Sequence, residues 1–138
     1  MASKKRQEIL QEKSFQLALL DQELRKIEEQ YKLLDQSIAN IELTKLNLDE
    51  IDKVEKTEVL ASLAEGIFIK AKIDKLDKVL VNVGKGIVIE KSIDEAKEIL
   101  NKRIEELSLL KSLLASEAEK ILNEIKTIEE EVNKLAKK

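Results

Sequence analysis

The 138-residue chain contains no cysteine, histidine, proline or tryptophan. Without cysteine there is no disulfide framework, and without cysteine or histidine the usual ligands of a zinc site are missing. The familiar nucleophile–base pairs lose a partner too. Aromatic residues make up 2% of the sequence, so little bulky apolar volume is available for a three-dimensional core. No run approaches the ~18 apolar residues of a membrane span, and the basic start MASKKRQEILQEK has no apolar stretch behind it. Ala2 breaks the myristoylation pattern. Together these absences predict a soluble, cytoplasmic protein that makes no use of a membrane.

Neither acidic nor basic residues are in large excess. Charged residues are 38% of the chain, yet the net charge is −3, with Lys and Glu interspersed throughout. Nucleic-acid binding would need clustered Lys and Arg, so no nucleic-acid partner is expected.

What the sequence does have is heptads. Leu17, Leu20, Leu24, Ile27, Tyr31, Leu34, Ile38, Ile41 and Leu48 follow alternating steps of three and four, without Gly or Pro from about Lys4 to Lys53. A second seam runs Ile93, Leu100, Leu107, Leu114, Ile121, Ile128 and Leu135, interleaved with Ile104, Ala118, Ile125 and Val132. Ser92 and Glu95 have the spacing of a capping box, which starts this second helix at about residue 92. Arms of about 45 to 50 residues would each be roughly 65 to 75 Å long. One apolar stripe cannot stand alone in water, so the two arms are expected to pair antiparallel. Lys13, Lys45, Lys97 and Lys111 occupy seam positions, where a lysine either fixes register or snorkels its stem outward.

All three glycines lie between the arms, where the apolar period changes from 3.6 to 2. Candidate strands are Thr57–Leu63, Ile67–Ile73, Lys78–Val83 and Ile87–Glu90. The Gly-Lys-Gly in VNVGKGIVIEKS is not a phosphate cradle, because neither G-x-x-x-x-G-K-[ST] nor G-x-G-x-x-G is present. A two-residue turn at Gly84-Lys85 would set Val79 opposite Glu90. A three-residue loop, Gly84-Lys85-Gly86, instead sets Val83 opposite Ile87 and Val81 opposite Ile89, giving one apolar face. Gly86 then takes the left-handed position that closes the loop with a bulge. The same rule with Ala64-Glu65-Gly66 sets Leu63 opposite Ile67, Ala61 opposite Ile69 and Val59 opposite Ala71.

The expected organisation is one α+β, mainly α domain over residues 1–138. It has a first coiled-coil helix (4–53), two β-hairpins (57–91) and a second coiled-coil helix (92–137). Four short strands cannot bury their own apolar face, which implies strand partners from other subunits. The residues expected to carry oligomerisation are Val59, Leu63, Ile67, Ile69, Val79, Val81, Val83, Ile87 and Ile89, with Gly66, Gly84 and Gly86 as turn residues.

The stretch DKVLVNVGKGIVIEKSIDEA, Asp77 to Ala96, resembles the second hairpin and helix start of prefoldin alpha subunits of the archaeal kind. EGIFIKAKI, Glu65 to Ile73, resembles their first hairpin. The resemblance implies a hexamer of two alpha with four prefoldin beta subunits, whose hairpins combine into intersubunit β-barrels from which six coiled coils hang. It implies an ATP-independent holdase that captures unfolded client proteins at the coiled-coil tips and delivers them to a group II chaperonin, with no cofactor. Filament-forming relatives share this architecture, so a filament or scaffold protein is the alternative.

In an antiparallel arm the tip brings Lys4 to about Leu20 beside about Ile121 to Lys138. Ile9, Leu10, Phe15 and Leu19 on the first helix, with Leu122, Ile128, Val132 and Leu135 on the second, are the candidate client contacts. Phe15 falls at an outward heptad position, where packing gives an apolar side chain no reason to be. Lys4, Lys5, Arg6, Lys134, Lys137 and Lys138 give that end positive charge, suited to an acidic partner or to a solvated helix end. The carboxylate runs at Glu28-Glu29, Glu105-Glu106 and Glu129–Glu131 are solvated helix faces without a water-excluding cleft, so the chain is expected not to be an enzyme. Asp74 and Asp77 alone are too few oxygen ligands for a metal site.

Overall fold

A computed structural model describes residues 2–52, 58–73 and 77–137. Helix α1 (Ala2–Asp52) is followed by strands β1 (Glu58–Ala64), β2 (Ile67–Lys72), β3 (Lys78–Gly84) and β4 (Ile87–Ser92), then helix α2 (Ile93–Ala136). The expected order of helix, two hairpins and helix is therefore the observed one. Lys53, Thr57 and Asp74, which entered the expected boundaries and the acidic pair, lie outside the described residues.

Neither helix contains Gly or Pro, so nothing interrupts its hydrogen-bond ladder. The start of α2 is a reciprocal cap. The Glu95 amide donates to Ser92 Oγ at 3.1 Å, and the Ser92 amide donates to Glu95 Oε1 at 3.2 Å. Held by the Ser92 N–H, the Glu95 carboxyl titrates below its ordinary range.

The chain divides into two compact units. One comprises Met1–Ser37 with Leu107–Lys138, and its described residues are helical up to Ala136. Its seam is closed by Ile27 and Ile121, both buried, with Leu17, Leu20, Leu24, Tyr31 and Leu34 half-buried around them. Lys13 pairs with Glu131 and Lys111 with Asp35, so the start of α1 lies beside the end of α2 and the helices run antiparallel. Lys111 also sits 4.9 Å above the Tyr31 ring.

The other unit, Ile38–Glu106, holds both hairpins and the helix segments that flank them. Ile93 and Ala96 are buried at the root of α2, and Lys97 pairs with Asp49 of α1. Lys13, Lys97 and Lys111 are half-buried seam residues that end on a carboxylate of the opposite helix. The bond to Asp49 raises the pKa of Lys97, and the bond to Asp35 raises that of Lys111, so both stay charged in the seam.

Each hairpin is a separate two-stranded antiparallel sheet. Val81 faces Ile89, Ala61 faces Ile69 and Val59 faces Ala71, as the apolar pattern predicts. The loop differs from expectation. Gly84 pairs with Ile87 and Ala64 with Ile67, leaving two-residue turns at Lys85-Gly86 and Glu65-Gly66. All four turn residues have positive φ, between 52° and 77°, the conformation of a primed turn. Val83 and Leu63 thus do not oppose Ile87 and Ile67 but are the extra residues of a register shift. The physical reason is that a primed turn matches the strand twist, and one bulged residue then restores the apolar register.

Candidate functional site

The hairpins present apolar residues on both faces. Val59, Ala61 and Ala71 of the first and Val79 and Val81 of the second are half-buried, all on one face. Toward the turns Leu63, Ile67, Ile69, Val83, Ile87 and Ile89 are exposed. On the opposite face Leu60, Phe68, Leu80 and Val88 are exposed as well, Leu80 at 71%. The alternation rule missed these four. Ser62, Asn82, Lys70 and Glu90 share their face and make it read as polar, because each apolar residue there pairs with one of them: Leu60 with Lys70, Phe68 with Ser62, Leu80 with Glu90 and Val88 with Asn82.

Among the described residues the second hairpin has a brace that the first lacks. Asn82 Oδ1 accepts the Gly84 amide at 2.9 Å, across the bulge. The Asn82 carbonyl accepts the Arg103 guanidinium of α2, also at 2.9 Å. Arg103 carried no sequence signal, because its partner is a backbone atom that only the folded chain brings near.

In the helical unit Phe15 is 66% exposed, and Ile9, Leu19 and Leu122 are exposed too. Leu10, Ile128, Val132 and Leu135 are half-buried in the seam. Leu19 and Ile128 meet in an open groove of about 640 Å³, lined also by Gln16, Leu20, Glu23, Asn123, Glu124 and Thr127. Leu122 lies apart from them, in a groove of about 330 Å³ with Ile27, Tyr31, Leu114 and Ala118. Ile9, Leu10, Phe15, Val132 and Leu135 line neither groove.

Among the described residues no group of three or more His, Cys, Asp or Glu side chains could hold a metal ion. No helix is long and apolar enough to cross a membrane. What these surfaces can do is dock other polypeptide: strand edges and apolar faces at the hairpins, and shallow apolar grooves along the helix pair.

A model of the prefoldin subunit family matches residues 20–138. A prefoldin subunit alpha of Thermofilum pendens is 32% identical over 83% of this chain and 90% of its own length. That of Methanosarcina barkeri is 26% identical over 79% of this chain and 78% of its own. A filamentous PFD from Methanocaldococcus jannaschii, solved by cryo-EM, superposes with a TM-score of 0.76 at 20% identity, covering 83% of this chain and 96% of that one.

Proposed function

We propose that this chain, which belongs to the prefoldin family and resembles its archaeal alpha subunits, acts as an ATP-independent holdase. It assembles through its two hairpins and binds unfolded protein near the free ends of its helices. Prefoldin subunits are chaperone components that assemble with one another.

The single observation that carries the reading is the placement of exposed apolar groups in two separate regions. The hairpins expose them on both faces, and the paired helices expose Phe15, Leu19 and Leu122. A coiled-coil spacer would need only the first set. Partner beta subunits in a complex of two alpha and four beta chains, hairpins closed into intersubunit barrels, and delivery of clients to a group II chaperonin complete the proposal.

Deleting residues 1–20 and 121–138 tests it. The truncated chain is expected to assemble as the full one does but to lose suppression of the aggregation of a denatured protein. Full suppression would sink the assignment of binding to the helix ends. Native mass tests the other half. Two copies with four smaller coiled-coil chains supports the hexamer, whereas a homomeric ladder or long filaments supports the scaffold reading; the Methanocaldococcus jannaschii PFD is described as filamentous.

A further inference from the structure

Halfway along the helical unit, Leu33, Leu110 and Leu113 are 62%, 48% and 59% exposed. Lys111 bonds Asp35 and stacks on Tyr31, which sets residues 110–113 of α2 level with residues 31–35 of α1. The three leucines therefore belong to one patch, beside a closed seam. Among the described residues no packing explains them.

Their positions repeat those of the groove toward the helix ends. Leu33 follows Leu19 by fourteen residues, and Leu110 and Leu113 precede Glu124 and Thr127 by the same number. Leu19, Glu124 and Thr127 all line the groove. Fourteen residues are two heptads, so patch and groove occupy the same side of the helix pair, about 21 Å apart. One heptad from each, between them, lie the exposed charges Lys26, Glu117 and Lys120.

This alternation decides the occupant. A second helix pair packing along that side would need an unbroken apolar stripe, and the charges break it. An extended chain advances about 3.3 Å per residue, so about six residues span the gap and can be polar while apolar groups dock at each end.

We propose that Leu33, Leu110 and Leu113 form a second client contact, which together with the Leu19 groove reads two apolar clusters of one extended polypeptide. It rests on the holdase reading. Two unstructured fluorescent peptides test it on the full chain in its purified oligomer, one with a single apolar cluster and one with two clusters six polar residues apart. The two-cluster peptide is expected to bind about tenfold tighter, and the double variant Leu33→Ser with Leu113→Ser to abolish that advantage without changing single-cluster binding. Leu19→Ser is expected to weaken both peptides. If the double variant keeps the tenfold advantage, or if it changes the native mass, this contact is overturned while the holdase reading stands. If neither peptide binds the unaltered protein, the holdase reading fails and takes this contact with it.

Discussion

The two hairpins are one design written twice, twenty residues apart. Val59 and Val79, Leu60 and Leu80, Gly66 and Gly86, Ile67 and Ile87, and Ile69 and Ile89 occupy equivalent positions, and both hairpins shift register at the same place. Their chemistry at the shift differs. Gly84 sits at φ 120° and donates to Asn82, whereas Ala64 keeps a negative φ and follows Ser62 by two residues. The ionic pair Lys78–Glu90 has its counterpart positions filled by Glu58 and Lys70, with the signs exchanged. Since both bulges form, neither the glycine nor the side-chain bond creates them. The apolar register does, and glycine and asparagine only brace one copy.

The largest break in this equivalence is expected from Gly84→Ala. Positive φ near 120° is almost reserved for glycine, so about 1–3 kcal/mol of strain should appear as lost amide protection in β3 and β4 alone. The reciprocal Ala64→Gly should cost β1 and β2 less than ~1 kcal/mol. Asn82→Ala comes next, removing the acceptor for the Gly84 amide at a cost of about 0.5–1.5 kcal/mol. Ser62→Ala should leave hairpin 1 unchanged, and equal effects of the two on amide exchange would mean that Asn82 braces its hairpin no more than Ser62 does. Arg103→Ala should release the second hairpin from α2, by about 0.5–1 kcal/mol at this exposed site, and speed exchange in β3 but not in β1.

The smallest effect is a pH dependence that only the second hairpin shares, because only it runs directly into a capped helix. The folded-state pKa of Glu95 lies below its ordinary value of 4.5, so its contribution is present above that pH and is lost as pH falls through the lower folded value. Thermal unfolding of Glu95→Gln should show a correspondingly flatter acid slope.

Much of this was legible in the sequence. Uninterrupted heptads place both helices, and Ser92 with Glu95 marks the start of α2 to within one residue. The register of Val81 with Ile89 follows from the apolar pattern. The loop length does not, because a three-residue loop and a primed turn with a bulge give the same pairing beyond the tip. Leu60, Phe68, Leu80 and Val88 were hidden by polar neighbours on their face. The partners of Lys13, Lys97 and Lys111 were hidden because a carboxylate on another helix can be chosen only once the helix register is known.

The sequence separation of the contacts also bears on the order of folding. Each hairpin turns through two residues, the Arg103 bond to Asn82 spans 21 positions, and the Lys13 bond to Glu131 spans 118. Contacts close in sequence form with little loss of chain entropy, whereas distant ones become inexpensive only after nearer ones have formed. Such a chain is expected to close like a zipper whose slider starts at the turns, with the helix ends that carry Phe15 and Leu135 the last teeth to engage and the first to part.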